Sequence, residues 1–205
     1  MTRTIAVVTA GLSQPSSSRL LADRLAEATA RALRLQDDDV RVSVIELREL
    51  AHDITDHLLT GFAGPRLEEA IATVTSADAV IAVSPVFSAS YSGLFKSFFD
   101  VLEPGVLEGT PVLIAATGGT ERHSLALDHA LRPLFSYLHA VVVPTGVFAA
   151  TSDWGSADST TRLTSRIERA ASQLVRLATG TAAPTPPDPY ADPTPFEDLL
   201  FGRRT

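Results

Sequence analysis

The sequence predicts an α/β fold, a single parallel β-sheet with helices packed on both faces. Three observations carry this. Short, nearly continuous apolar runs recur along the chain, as at residues 5–9, 79–84 and 111–116, and strands buried on both faces read this way. After each run comes a longer stretch whose apolar residues return every three to four positions, the signature of an amphipathic helix. At 205 residues the chain is long enough to bury one substantial core between such layers.

The elements follow in order. Residues 5–9 form the first strand, and residues 18–35 the first helix, with Leu21, Leu25, Ala28, Ala32 and Leu35 on one face. Residues 40–47 alternate through Val40, Val42 and Val44, a strand pattern. Pro65 opens a helix over 65–75 that carries Leu67, Ala70, Ile71 and Val74. A third strand (79–84) leads to a helix at 92–102, a fourth (111–116) to a helix at 124–138, and a fifth (141–143) to a helix at 159–178. Five strands, each followed by a helix, with right-handed crossovers, leave few topologies. One domain spans residues 1–179. Residues 180–205 form an extended tail, because Pro184, Pro186, Pro187, Pro189, Pro193 and Pro195 leave no room for a helix or central strand. The apolar cluster Phe196, Leu199, Leu200 and Phe201 closes that tail and is expected to dock.

Composition excludes several functions. Asp and Glu number 24 against 17 Lys and Arg, a net charge of −7, and no basic run offers a nucleic-acid surface. Cysteine is absent, which removes disulfides, thiolate catalysis and Cys-ligated metals and fits a cytoplasmic protein. No segment approaches the roughly 20 apolar residues of a membrane span. His123 and His129 are six positions apart, not the i, i+4 spacing of a helical metal pair, so no metal is expected. A Gly-x-Ser-x-Gly elbow is missing, and no Ser/His/Asp signature stands out.

Three strand-to-helix loops carry the chemical signal, because ligands of open α/β sheets bind at the carboxyl ends of strands. The first holds Gly11, Ser13, Ser16, Ser17 and Ser18 ahead of a helix. A helix N-terminus offers unpaired N–H groups and a positive dipole end, serines add hydroxyls, and glycine allows a sharp turn. A phosphate needs these features. Neither G-x-x-x-x-G-K-[ST] nor G-x-G-x-x-G occurs, which disfavours nucleoside triphosphate and Rossmann dinucleotide sites. The second loop is Pro85, Val86, Phe87 and Ser88, and the third is Thr117, Gly118, Gly119 and Thr120. Paired glycines there permit close approach of a flat ligand.

The second loop and its helix, with Pro85, Phe87, Ser90, Tyr91, Gly93, Lys96 and Asp100 in fixed spacing, resemble the flavin loop of the NAD(P)H-dependent FMN reductases. The segment His123-Ser124-Leu125-Ala126-Leu127-Asp128-His129-Ala130-Leu131-Arg132-Pro133 resembles those that serve two-component monooxygenases. The resemblance covers residues 4–178. It implies a flavodoxin-like three-layer sandwich with strand order 2-1-3-4-5, FMN and NADPH or NADH as cofactors, and a π-bulge with His129 at the inserted position. It also implies a homodimer or homotetramer, with helix 92–102 in the interface, and a flavin-dependent monooxygenase as partner. By that resemblance Ser13, Ser16, Ser17 and Ser18 hold the FMN phosphate. Pro85, Val86, Phe87 and Ser88 approach the ring and ribityl chain, and Thr117, Gly118, Gly119 and Thr120 the ring.

The first loop departs from the family's G-S-x-R-x-x-S-x-T. Gln14 or Pro15 replaces the arginine, and Arg19 is the candidate substitute. The Pro-rich tail resembles an actinobacterial subgroup whose members accompany luciferase-like monooxygenases. No residue is expected to act as a chemical catalyst, since hydride transfer to flavin depends on positioning. Three other readings remain open: a quinone or azo reductase with permanently bound FMN, a flavodoxin-type electron carrier, and a flavin-free interaction module.

Overall fold

The computed structural model describes residues 1–155 and 157–181. The expected tail, with its Phe196 to Phe201 cluster, lies outside the described residues. In chain order the elements are β1 (Thr2–Thr9), α1 (Ser17–Arg34), β2 (Asp39–Glu46), α2 (Ala51–Thr60), α3 (Pro65–Thr75), β3 (Ala79–Phe87), β4 (Ser90–Tyr91), α4 (Gly93–Asp100), β5 (Pro111–Gly118), α5 (Arg132–Tyr137), β6 (Val141–Val142), β7 (Val147–Ala150) and α6 (Ala157–Thr179).

The parallel sheet runs β2-β1-β3-β5, so the four leading strands take the expected order. The period-2 alternation of each strand sorts its side chains into two cores. Ile5, Val7, Ile81, Val83, Leu113 and Ala115 face α1 and α6. Ala6, Val8, Val80, Ala82, Val112 and Ile114 face the layer of α2 to α5. Three rings knit that second core: Phe95 lies 4.8 Å from Phe99, and Phe99 lies 4.9 Å from Phe135, between centroids. Each such pair adds about 0.5–1.5 kcal/mol beyond its area burial.

The structure differs from the five-strand expectation in three places. At the sheet's far edge the fifth strand is split. β6 pairs with the start of β5 (Pro111↔Val141) and β7 with its end (Ala115↔Val147). Pro144 cannot donate to a ladder, and Arg132 satisfies the carbonyls freed there, donating to Val143 O at 3.1 Å and Pro144 O at 3.2 Å. Second, β3 continues three residues further than its apolar run and folds back on β4 as a small antiparallel hairpin. Third, the sequence pattern assigns no element to residues 48–64, where a 3₁₀ turn (Leu47–Leu50) and α2 form. Only Ile54 of α2 is buried, too narrow an apolar stripe to show as a period.

The helix expected over 124–138 is not continuous. A π-turn (Leu127–Leu131) precedes α5, and Arg132 N donates to Leu127 O five residues back. This π-turn contains His129, the position the resemblance gives for the inserted residue. Among the described residues no helix is long and apolar enough to cross a membrane.

Candidate functional site

The loops after β1, β3 and β5 leave the sheet at its carboxyl edge and enclose a cleft of about 320 Å³. Register explains the convergence: Thr9 pairs with Val83 across β1 and β3, and Pro85 pairs with Thr117 across β3 and β5. Ser13, Ser16, Ser17, Ser18, Pro85, Val86, Phe87, Thr117, Gly118 and Gly119 line the cleft, joined by Gly11, Leu12 and Thr151. Thr151 follows β7, which sequence reasoning missed. Its signal is the short apolar run Val147-Phe148-Ala149-Ala150 after Gly146.

Ser88 and Thr120 do not line it. Ser88 (φ 49°) and Ala89 (φ 66°) are the two central residues of the β3–β4 hairpin, both left-handed. A two-residue turn of this hand normally uses Asn-Gly or Gly-Gly, and serine and alanine there store strain. The turn leaves Ser88 out of the cleft lining. Thr120 is turned to a local task, its Oγ1 accepting from Arg122 N at 3.4 Å at the start of the turn Glu121–His123.

The floor of the first loop offers donors of the kind an anion needs. Ser16 caps α1, its Oγ accepting from Arg19 N at 3.2 Å, and it keeps its own O–H to donate. Ser13 and Ser17 are exposed, while Ser18 is buried with Oγ 2.7 Å from Thr117 Oγ1, joining the first loop to the third. The first turn of α1 contains no acidic residue, so its N–H groups and dipole end meet no built-in anion. Thr9 Oγ1, at the end of β1, is buried without a hydrogen-bond partner. Gly11 is required by space: a Cβ there would lie 2.0 Å from Ser16 Oγ. Gly119 is different, with no heavy atom within 4 Å of an added Cβ. These features fit a flavin mononucleotide, with the phosphate at α1 and the flat ring against the second and third loops.

Arg19 does not supply the missing cation. Its guanidinium is held by Asp23 at 2.8 Å and by Glu46. The Asp23 hydrogen bond, opposed by burial and aided by the charges of both carboxylates, raises its pKa above the ordinary value. Arg48, from the turn after β2, lies against the side-chain amide of Gln14 instead. Lys96 lies on the α4 surface, paired with Asp100.

The second loop is braced from below. Ser84 Oγ accepts from Ser92 N at 2.9 Å and donates to Pro85 O at 2.9 Å. Ser92 in turn caps α4, accepting from Phe95 N at 3.1 Å. This pins the strand-to-helix corner that presents Phe87, which is 46% exposed at the cleft. Trp154 does not line the cleft; the Arg24 guanidinium sits 4.8 Å from its ring centroid.

Helix 92–102, expected in a subunit interface, does not have its large apolar side chains free for one. Phe95, Phe98, Phe99 and Leu102 are all buried in the protomer's own core. What remains open is a groove of about 930 Å³ between α4 and α5, lined by Lys96, Leu134, Tyr137 and Leu138 among others.

Comparison with known proteins gives concordant results. The family described as NADPH-dependent FMN reductase matches residues 3–155. The chain is 37% identical to FMN reductase (NADPH) of Pseudomonas aeruginosa over 88% of this chain and 90% of that one. It is 36% identical to the NADH-dependent FMN reductase SfnE of Pseudomonas putida, over 84% and 91% respectively. A crystal structure of an oxidoreductase from Corynebacterium diphtheriae superposes with a TM-score of 0.85 at 48% identity, covering 88% of this chain and 99% of that one.

Proposed function

The chain belongs to the NADPH-dependent FMN reductase family, and from that premise we propose that its three-loop cleft binds FMN for reduction by a nicotinamide nucleotide, and that the reduced flavin is passed to a flavin-dependent monooxygenase. The observation that carries this reading is the convergence of a serine-rich, acid-free helix start with the loops after β3 and β5 at one carboxyl edge of the sheet. When bound, FMN supplies the acceptor for the hydride given up by the nicotinamide. The residues of this chain position and orient. Ser13, Ser16 and Ser17, with the α1 N–H groups, hold the phosphate. Thr117 and Ser18 lock the first and third loops together. Pro85, Val86, Phe87, Gly118 and Gly119 would hold the ring. The π-turn Leu127–Leu131, in the segment that resembles reductases of two-component systems, supports a monooxygenase partner. The names of the relatives record both NADPH and NADH as donors.

The test is oxidation of NADPH and NADH by purified protein, with and without added FMN, riboflavin and a quinone. FMN should behave as a saturable substrate, and flavin-free protein should be inactive until it is added. Turnover with a quinone that needs no added flavin would instead make the protein a reductase with permanently bound FMN. Failure to bind FMN would remove the reading.

We also propose that the protein is a homodimer or homotetramer joined through the Leu134–Leu138 end of the α4–α5 groove, where Tyr137 is 82% exposed beside Leu134 and Leu138. Tyr137→Glu should shift the light-scattering mass toward the monomer. A wild-type protein that scatters as a monomer would overturn this assembly.

A further inference from the structure

A second cavity, of about 380 Å³, opens where two of the cleft loops continue. Phe87 lines the cleft, and the hairpin then delivers Ala89 and Ser90 to this cavity. Gly118 and Gly119 line the cleft, and the following turn delivers Arg122 and His123 to the second cavity, which His129 also lines. The two cavities are therefore consecutive along the same two loops.

The second cavity has an unusual charge for this chain. The protein carries −7, yet the lining includes Arg122, His123 and His129 and no carboxylate among the described residues. The neighbouring acids are Glu121, at the start of the turn, and Asp128, whose Oδ1 is taken by Arg132 Nε at 3.0 Å. Arg122 and His123 are both exposed, and among the described residues no carboxylate pairs with the Arg122 guanidinium. Thr120, standing outside the cleft, fixes the backbone of Arg122 through its Oγ1.

A reducing dinucleotide has to place its nicotinamide against the flavin ring and its adenylate elsewhere. The two loops lead from the ring to this cationic cavity. A guanidinium presents a planar fork of donors that matches phosphate oxygens, and each imidazole adds an N–H donor. We infer that this cavity takes the 2′-phosphate of NADPH, with Arg122 and His123 setting the preference for NADPH over NADH. The inference rests on the proposal that a nicotinamide nucleotide reduces flavin in the adjacent cleft. NADH carries only a hydroxyl at that position, so the fork would have no anion to hold.

The experiment is calorimetric titration of flavin-free protein with adenosine 2′,5′-bisphosphate and with 5′-AMP, using the wild type and the double variant Arg122→Gln/His123→Gln. The wild type should bind the bisphosphate at least roughly tenfold more tightly than AMP, as charge-assisted hydrogen bonds to phosphate require. In the variant this advantage should disappear, and the ratio of kcat/KM for NADPH over NADH should fall by about the same factor. Arg122→Lys, which keeps the charge and loses the fork, should fall between. Melting temperature and FMN affinity, measured on the same samples, show that the variant is folded and its flavin site intact. Equal affinity for the two adenylates in the wild type would overturn the inference, as would a bisphosphate advantage that survives in a folded variant. A protein that binds no FMN and oxidises neither nucleotide would fail at the earlier step and take the inference with it. A working reductase that treats both nucleotides alike removes the inference alone.

Discussion

Ser17→Asp should weaken FMN binding by roughly ten- to hundredfold while leaving the fold at least as stable as before. The two effects have opposite signs because they draw on the same feature. Ser17 is the first residue of α1, is exposed and lines the cleft. The first turn of α1 holds no acid, so a carboxylate there gains about 0.3–1 kcal/mol from the helix dipole in the flavin-free protein. That carboxylate then occupies the field meant for a dianionic phosphate, and two like charges about 4 Å apart at an effective dielectric near 20 repel by a few kcal/mol before screening.

Neighbouring serines make poorer probes. Ser18 is buried against Thr117 Oγ1, and a charge placed there would damage the core of the site. Ser16 Oγ caps the helix, so replacing it disturbs α1 itself. Riboflavin, which lacks the phosphate, should bind Ser17→Asp as it binds the wild type. Equal losses for FMN and riboflavin, measured by flavin fluorescence, would place the phosphate somewhere other than α1.

Features governed by periodicity are legible in the chain, and features governed by tertiary satisfaction are not. The runs Val80-Ile81-Ala82 and Leu113-Ile114-Ala115 announce strands buried on both faces, and the structure buries them completely. The β3–β4 hairpin gives no warning because its turn residues are Ser88 and Ala89, not the glycine or asparagine that usually signals positive φ. The same turn explains why Ser88, though part of the flavin loop in sequence, stands outside the cleft. The split of the fifth strand depends on Arg132 reaching the carbonyls of Val143 and Pro144, a contact between residues 11 and 12 positions apart that no local pattern encodes. The phenylalanines of α4 exceed the single apolar stripe that a helix of this layer needs, so the sequence alone suggests spare surface for a partner. Phe135 of α5 closes over them instead and takes them into one core. Clustered serines and paired glycines sit at strand ends, so topology alone carries them to one edge. This is why the cleft is largely readable.

Gly119→Val should fold like the wild type and bind flavin at least roughly a hundredfold more weakly, FMN and riboflavin alike. Three glycines line the cleft, and the space around each predicts a different outcome. A side chain at Gly11 would strike Ser16 Oγ at 2.0 Å, and one at Gly118 would strike Phe148 Cζ at 2.9 Å. Substitution at either disturbs the α1 cap or the core before it touches a ligand. An added Cβ at Gly119 meets no heavy atom within 4 Å, and the backbone there is outside the left-handed region that penalises β-branched residues. The flavin-free variant should therefore melt within about 0.5 kcal/mol of the wild type, as substitutions in open space do. The two branches of valine would fill space the ring must enter. Close packing over a flat aromatic face is worth several kcal/mol, so affinity should fall at least roughly a hundredfold. Gly119→Ala, with a single methyl, should lose less. The pattern across ligands separates this variant from Ser17→Asp: one costs the phosphate alone, the other the ring. Unchanged FMN affinity in a folded Gly119→Val protein would move the ring off the third loop, and with it the path by which that loop connects the flavin to Arg122.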